Sequence, residues 1–284
     1  MYINGGFENL KIGDSEFKWG SKTYIMGVIN VTPDSFSGDG LVNDIDAMVK
    51  KAISFENTGA DIIDIGGEST RPSTIYSKVR DISWTEEVDR VMPIIEELIK
   101  VITIPISIDT SKAKVAQSAL DAGVHMVNDV WGLQKDIDMV NVIVQKQCPV
   151  VIMHNKEKAC YSGDLMSEVV GYLNHVTENI ISKGVERDNI IIDPGIGFGK
   201  QFHHNIEVLQ RLKELKELRF PILLGTSRKS FIGQILDLSV DRRVEGTAAT
   251  VALGISNGVD IVRVHDVEEI VRVAKVSDRI VRGI

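Results

Sequence analysis

The sequence predicts an α/β protein that folds as a TIM (β/α)8 barrel with a short N-terminal β-hairpin. Short apolar strands alternate with amphipathic helical stretches, eight such strands can be drawn, and nearly every strand ends in a polar or ionisable residue. Alternation of strand and helix predicts a parallel sheet. Eight parallel strands close into a barrel whose C-terminal strand ends face one pocket. The alternative is an open doubly wound sheet, which gathers ligand groups mainly around one switch point.

The predicted strands are short and apolar, and they lie at 24–30, 61–65, 104–109, 125–129, 150–154, 190–193, 222–225 and 261–265. The stretches with apolar residues at helical spacing lie at 44–58, 85–101, 112–122, 164–182, 206–218 and 247–257.

Residues 1–20 contain glycine turns between short alternating stretches, which predicts a hairpin that caps one end of the barrel. No linker or low-complexity tract interrupts the pattern, so we expect a single domain over 1–284.

The composition is that of an ordinary globular protein, with 43% hydrophobic and 25% charged residues. A formal net charge of -8 argues against a general nucleic-acid or anionic-membrane surface. No apolar run is long enough to cross a bilayer, and no signal peptide precedes the two cysteines, Cys148 and Cys160. We therefore expect a cytoplasmic protein with reduced thiols.

The last strand carries two ionisable residues, Arg263 and His265, that alternate with Val262 and Val264. The valines should pack outward against helices, while the arginine and histidine point into the pocket. The next helix begins at Asp266 or Val267, and its free N–H groups would face the same pocket, so together they can hold a phosphate. Ion pairs with carboxylates on neighbouring strands are an equally good interpretation of this stretch alone.

Other strand ends supply carboxylates and amides. Each of them has a structural alternative as a helix cap or turn former. As pocket residues they match the N–H groups of a purine, pyrimidine or pterin edge. The residues alone therefore predict an enzyme or binding protein for a heterocycle that bears phosphate. The side chains predicted to face the pocket are Asn30, Asp109, Asn128, Asp193, Lys229, Arg263 and His265.

Several common motifs are absent from the sequence. The glycine run at 195–199 lacks the spacing of a dinucleotide fingerprint, and 225–230 lacks that of a P-loop. No Cys/His cluster has zinc spacing, and no nucleophile elbow is present.

Specific motifs of the chain, in order, resemble those of dihydropteroate synthases. They are MGVINVTPDSFS, DIIDIGGESTRPS, ISIDTSK, VNDV, IIIDPGIGFGK, LLGTSRKSFIG and IVRVHDV. The resemblance covers almost the whole chain from Tyr24 onward. It implies a TIM barrel that condenses 6-hydroxymethyl-7,8-dihydropterin diphosphate with 4-aminobenzoate, giving 7,8-dihydropteroate and pyrophosphate for folate synthesis.

The resemblance also implies roles for individual residues. Arg263 stacks on the pterin and, with His265, holds the phosphates, while Asn30 is a ligand of Mg²⁺ on the diphosphate. The implied catalytic residues are Asp109, Asp193, Lys229, Arg263 and His265. The implied pterin diphosphate contacts are Asn30, Asp109, Asn128, Asp193, Lys229, Arg263 and His265. The implied 4-aminobenzoate contacts are Phe36, Thr70, Arg71, Pro72, Phe198, Ser227, Lys229 and Ser230.

Further expectations follow from the resemblance. Loops at 32–40 and 69–73 close over the site, sulfonamides compete with aminobenzoate, and the protein is a homodimer. The loop at 155–160 and the residues at 37–40 and Ser73 depart from the family pattern. These departures concern loop geometry and kinetics more than the reaction.

Two alternative functions remain open. One is a pterin-dependent methyltransferase that passes a methyl group from methyltetrahydrofolate to a corrinoid. The other is a non-catalytic pterin-binding barrel, since fold does not imply function. The methyltransferase does not need the T-P-D-S-F, S-T-R-P, S-R-K-S and R-V-H-D segments, which are all present.

Overall fold

The computed structural model describes residues 9–31, 41–68 and 81–283, and for 41–44 it describes the backbone alone. Over these residues the chain forms a parallel barrel surrounded by helices, preceded by a two-stranded antiparallel hairpin. None of the helices described there combines the length and apolar character needed to cross a membrane.

The hairpin consists of β1 (Leu10–Ile12) and β2 (Ser15–Phe17), joined by a tight turn. Its apolar side chains, including Leu10 and Phe17, are buried in one cluster with residues from the N-terminal ends of the barrel strands. The hairpin therefore closes the N-terminal end of the barrel, as the sequence predicts, and leaves the opposite end for ligands.

The barrel strands in the described part of the chain are β3 (Tyr24–Asn30), β4 (Ile62–Gly66), β5 (Ile106–Asp109), β6 (Met126–Asp129), β7 (Val150–Met153), β8 (Ile190–Asp193), β9 (Leu223–Leu224) and β10 (Ile261–Val264). Neighbours from β3 to β8 are parallel, and β10 is parallel to both β3 and β9. A parallel bridge between Ile192 and Ile222 joins β8 to the start of β9. This contact completes the ring, so the predicted barrel is confirmed.

Helices cover the outside of the barrel. They are α1 (Leu41–Thr58), α2 (Trp84–Val101), α3 (Ala113–Ala122), α4 (Met139–Lys146), α5 (Leu165–Ser182), α6 (Phe202–Gln210), α7 (Ser230–Leu236), α8 (Val244–Ser256) and α9 (Val267–Val281). Local signals set their ends: the Ser83 side chain caps α2, the Asp164 side chain caps α5, and Gly123 ends α3 in the left-handed region.

Side chains alternate between the two faces of each strand. Ile63, Ile65 and Ile108 pack outward against the helices. Met26 and Ile62 point inward and meet the hairpin. On the inward face, apolar residues fill the N-terminal half of the barrel and polar residues follow toward the C-terminal end. This alternation puts the predicted pocket residues on the inner face.

Most differences from the predicted elements lie at their ends. The helix expected at 206–218 is two elements, α6 and a 3-10 helix at Leu212–Leu218. The strand expected at 222–225 is reduced to the two residues of β9. Pro221 lacks the N–H that a ladder requires, which limits regular pairing before β9. Two helices, α4 and α7, had no separate sequence prediction because each is only two turns long.

Candidate active site

Polar strand ends converge at the C-terminal face of the barrel. Asp109 and Asp193 are the last residues of β5 and β8, and Asn128 is the third residue of β6. Arg263 is the third residue of β10, and His265 follows that strand directly. All five were predicted from the sequence to face one pocket, and the structure brings them together there.

The guanidinium of Arg263 lies between two buried carboxylates. Its Nε donates to Oδ2 of Asp64 at 2.6 Å, and its Nη2 donates to Oδ2 of Asp109 at 2.7 Å. The same Asp64 oxygen accepts a bond of 3.1 Å from the amide of Asn128. Charge-assisted bonds of this kind fix side-chain geometry. Asp64 therefore orients two of the predicted pterin contacts.

Asp64 is a functional candidate that the site prediction missed. It stands two residues before the end of β4, where neighbouring isoleucines hide it within an apolar run. The sequence did contain a signal, which is the alternation of side chains along a strand. Asp64 shares its strand face with Ile62 and Gly66, which face inward. A carboxylate on the inner face of a barrel strand needs a partner, and here that partner is Arg263.

Burial raises the pKa of Asp109; Arg263 opposes this change and Asp64 adds to it. Burial also raises the pKa of Asp193, against the influence of Lys229. Oδ1 of Asp64 and Oδ1 of Asp109 are buried and find no hydrogen-bond partner among the described residues. An unpaired buried acceptor is costly. A ligand that brings polar groups to these oxygens would therefore relieve that cost.

The loop at 195–199 forms another side of the pocket. Gly195 donates its N–H to Oδ1 of Asp193 at 2.6 Å. The ammonium of Lys229 donates to the carbonyl of Ile196 and lies 4.4 Å from the ring centroid of Phe198. Burial lowers the pKa of Lys229 to about 8, although Asp193 opposes the shift. The loop thus places a carboxylate, an ammonium group and an aromatic ring side by side.

His265 is bound to the hydroxyl of Ser227. The backbone N–H of His265 donates to Oγ of Ser227 at 3.1 Å, and Nδ1 lies 2.9 Å from the same oxygen. Because Oγ already accepts one bond, its own proton can go to Nδ1. That arrangement leaves the imidazole proton on Nε2, where it can be donated to an anion.

Cations surround this histidine. Burial lowers the pKa of His265 to about 3, and Arg263, Arg228 and Lys51 add to the shift. Arg228 forms two hydrogen bonds to the carboxylate of Asp266, which directly precedes α9. The imidazole is therefore neutral near pH 7, and the cations beside it, two of them already paired with carboxylates, can attract an anionic ligand.

Asn30 ends β3 close to Asp109. A Cβ placed on Gly66, between the two, would lie 3.8 Å from Oδ1 of Asn30 and 3.7 Å from Oδ2 of Asp109. Such a Cβ would make ordinary van der Waals contact with both oxygens. The amide oxygen and the carboxylate therefore share one corner of the site.

The pocket that these groups enclose is lined by Asn128, Val130, Met153, Asp193, Phe198, Gly225, Ser227, Lys229, Arg263 and His265. Ser230, predicted to contact aminobenzoate, is the first residue of α7 and is not part of this lining. Its role stays a prediction. Phe36, Thr70, Arg71 and Pro72 lie outside the described residues.

Comparison with known proteins agrees with this geometry. The family described as pterin binding enzyme matches residues 26–265. A dihydropteroate synthase from Clostridium beijerinckii is 49% identical over 274 residues, which cover 96% of this chain and all of the relative.

Two solved structures are similar over nearly their whole length. A dihydropteroate synthase from Clostridium difficile, crystallised in the presence of pteroic acid, superposes with a TM-score of 0.90 at 51% identity, covering 94% of this chain and 99% of that one. The Xanthomonas albilineans enzyme with 4-aminobenzoic acid has a TM-score of 0.90 at 34% identity, covering 97% and 98%. The chain therefore belongs to the dihydropteroate synthase family of pterin-binding enzymes.

Proposed function

We propose that the protein condenses 6-hydroxymethyl-7,8-dihydropterin diphosphate with 4-aminobenzoate to give 7,8-dihydropteroate and pyrophosphate. One observation carries this proposal: Arg263 is held between Asp64 and Asp109, at the boundary between an acidic inner pocket and a cationic rim around His265. A pterin ring is rich in N–H donors and its diphosphate is an anion, so one substrate matches both halves of the site.

The inner half of the site suits the pterin. Asp109 offers its unpaired Oδ1, Asp193 offers a second carboxylate, and Asn128 offers an amide that can donate and accept. Arg263 lies across this group and can stack on a planar heterocycle. We propose these residues, with Lys229, as the pterin contacts.

The outer half suits the leaving group. When the bond between the pterin methylene carbon and the diphosphate oxygen breaks, its electron pair goes to the diphosphate. The amine nitrogen of aminobenzoate then forms the new C–N bond and gives up a proton, which the departing diphosphate or solvent water accepts. Arg263, Nε2–H of His265 and the N-terminal N–H groups of α9 stabilise the negative charge on the leaving group, which is electrostatic catalysis without a covalent enzyme intermediate.

Charge on the pterin has the opposite sign. The methylene carbon becomes electron-poor as the diphosphate leaves, and the carboxylates of Asp109 and Asp193 lie on the pterin side of Arg263. A nearby carboxylate lowers the energy of developing positive charge in a site that excludes water. Water would otherwise capture the electrophile in place of the arylamine.

We propose Mg²⁺ as the metal ion, with Asn30 as its protein ligand. The amide oxygen of Asn30 and the carboxylate of Asp109 lie on the two sides of Gly66, and such oxygen donors fit this ion. Mg²⁺ commonly binds through few side chains together with phosphate oxygens. When bound, the ion neutralises charge on the diphosphate.

We propose that aminobenzoate binds against the loop at 195–199. The ring of Phe198 offers an apolar face, and the ammonium of Lys229 above it offers a cation for the carboxylate of the substrate. Ser227, Ser230, Phe36, Thr70, Arg71 and Pro72 remain proposed contacts. Sulfonamides carry an arylamine similar to aminobenzoate, so they should compete with aminobenzoate rather than with the pterin.

Mass-spectrometric detection of 7,8-dihydropteroate tests the proposed reaction. The purified protein should form the product only when both substrates and Mg²⁺ are present. If methyl transfer from methyltetrahydrofolate occurs instead, or the pterin binds without reaction, the proposal is wrong. No observation on the described residues favours those two alternatives.

We also propose a cytoplasmic homodimer. Leu253 on α8 and Val276 and Ile280 on α9 are 63%, 62% and 78% exposed, and the two helices pack against each other. A second copy can cover such apolar side chains. Cys148 and Cys160 are free thiols, which suits a reducing compartment. Sedimentation equilibrium should give twice the chain mass; a monomer at micromolar concentration would contradict the dimer.

A further inference from the structure

Lys200 is a buried lysine outside the pocket lining. It follows the loop at 195–199, is 8% exposed, and points its ammonium group back beneath that loop. Nζ lies 3.0 Å from the carbonyl oxygen of Gly195, 3.2 Å from that of Phe198 and 2.8 Å from Nδ1 of His154. A lysine head group placed among three polar atoms in the interior is costly to desolvate, so these contacts must fix it in place.

The loop contains no helix or strand, and the side chains of Tyr161 and Asn205 bond it at Gly199 and Gly197. Gly195, Gly197 and Gly199 have φ values of 71°, 81° and 53°, in the left-handed region that glycine tolerates. A Cβ on Gly195 would lie 1.9 Å from the carbonyl oxygen of His154, so the loop is packed directly on the end of β7. The carbonyl of Gly195 accepts the N–H of Phe198, and Lys200 gives that carbonyl a second donor and donates to the carbonyl of Phe198.

The opposite surface of the same loop faces the pocket. There Lys229 donates to the carbonyl of Ile196 and covers the ring of Phe198. Two lysines therefore hold one loop, Lys229 from the ligand side and Lys200 from the buried side. Lys229 contacts the ring of Phe198, and Lys200 bonds its backbone carbonyl.

His154 completes the buried end of this arrangement. It is fully buried, and its ring contacts the rings of Tyr161 and Tyr172 at centroid distances of 6.2 and 5.0 Å. Burial, with Lys200, lowers the pKa of His154 to about 3, so the imidazole is neutral. Burial lowers the pKa of Lys200 to about 7, with Asp193 opposing the shift. In either protonation state the amine keeps enough N–H donors for both loop carbonyls.

We propose that Lys200, oriented by His154, is a positioning residue for the aminobenzoate subsite. It fixes the carbonyls of Gly195 and Phe198 from below and so sets the height of the Phe198 ring over which the arylamine binds. This inference rests on the proposed function. It predicts that loss of the lysine weakens use of aminobenzoate far more than use of the pterin, because most pterin contacts stand on the strands and not on this loop.

Steady-state kinetics with each substrate varied in turn tests the inference. Lys200→Met keeps the length of the side chain and removes its donors. The KM for aminobenzoate should rise about tenfold, as expected for loss of charge-assisted hydrogen bonds. The KM for pterin diphosphate should stay within about twofold. Lys100→Met is the matched control, because Lys100 pairs with Glu97 on the exposed surface of α2, away from the loop at 195–199; it should match the wild type.

Substitutions at His154 keep the test decisive if Lys200→Met does not fold. His154→Leu removes the polar partner of Lys200 and should raise the KM for aminobenzoate. His154→Asn, whose amide can take the place of Nδ1, should restore it. Equal changes in both KM values, or no change in folded Lys200→Met or His154→Leu, would overturn the inference. A wild-type protein that forms no dihydropteroate would instead contradict the proposed function.

Discussion

The carboxylate of Asp64 accepts a hydrogen bond of 2.6 Å from Nε of Arg263, and Asp64 is completely buried. The two residues are 199 positions apart in the chain and meet through the closed ring of strands. This pair fixes the guanidinium before any ligand enters. Preorganised charge of this kind costs no rearrangement at the moment of reaction.

Replacing Asp64 with asparagine should lower kcat/KM about 100-fold. Without the Asp64 carboxylate, Arg263 is no longer held where it stabilises the negative charge that develops on the leaving diphosphate. Loss of one partner of a buried ion pair should also lower the free energy of unfolding by about 3 kcal/mol. Kinetics and urea denaturation measure the two effects. Asp61→Asn is the control, since Asp61 pairs with Lys22 at the far end of the barrel. Equal loss of activity in both variants would contradict the role of Asp64.

The difference between Asp109 and Asp64 shows how far sequence reasoning reached. Asp109 ends its strand, where a parallel barrel exposes side chains to the pocket, so position alone identified it. Asp64 lies within its strand, and its role depends on Arg263 arriving from the last strand. Closure of the barrel creates that contact, and the sequence around Asp64 does not predict it. The strand alternation that predicted Arg263 could have indicated Asp64 too.

Loop residues were harder to predict. The glycine run at 195–199 showed that a loop follows β8, and Phe198 was assigned to it only by resemblance. The path of the Lys200 side chain depends on the left-handed glycines and on contact with the end of β7. Those are tertiary relationships, so the spacing of residues could not reveal that Lys200 supports the loop from below.

The imidazole of His265 should be neutral from about pH 5 upward in the free protein. Its pKa of about 3 lies below the usual 6.5. As the pH falls below 6.5, this histidine binds a proton in the unfolded chain but not yet in the folded protein. It therefore lowers the free energy of unfolding progressively between pH 6.5 and about pH 3. Inorganic pyrophosphate should raise the pKa, because an anion beside the ring favours the charged form. NMR titration of the ring nitrogens measures the pKa of His265 without and with pyrophosphate. A titration midpoint above pH 6 in the absence of ligand would contradict the geometry.

The activity should decline as the pH rises through about 8, where Lys229 loses its proton. The cause is burial, which lowers the pKa of this lysine from its usual 10.5. Lys229→Arg keeps a positive charge to higher pH, so its kcat/KM profile should lose this alkaline limb even if the maximum is lower. Superimposable profiles of the variant and the wild type would show that another group controls the limb.

Asn30→Ala should raise the Mg²⁺ concentration that gives half-maximal activity about tenfold, because one oxygen ligand is lost. Excess Mg²⁺ should restore much of the rate, since the diphosphate still binds the ion. Asn174→Ala, at an exposed position on α5, is the matched control. A variant at Asn30 with an unchanged Mg²⁺ requirement would remove this residue from the metal site.

Pyrophosphate release from the pterin diphosphate, followed with and without 4-aminobenzoate, tests the proposed reaction most directly. The wild type and Arg272→Ala, which alters an exposed ion pair on α9, should release one pyrophosphate for each dihydropteroate formed, and only when the amine and Mg²⁺ are present. Arg263→Ala should be slower by about 100-fold or more. A wild-type protein that binds the pterin diphosphate but releases no pyrophosphate on addition of aminobenzoate would contradict the account.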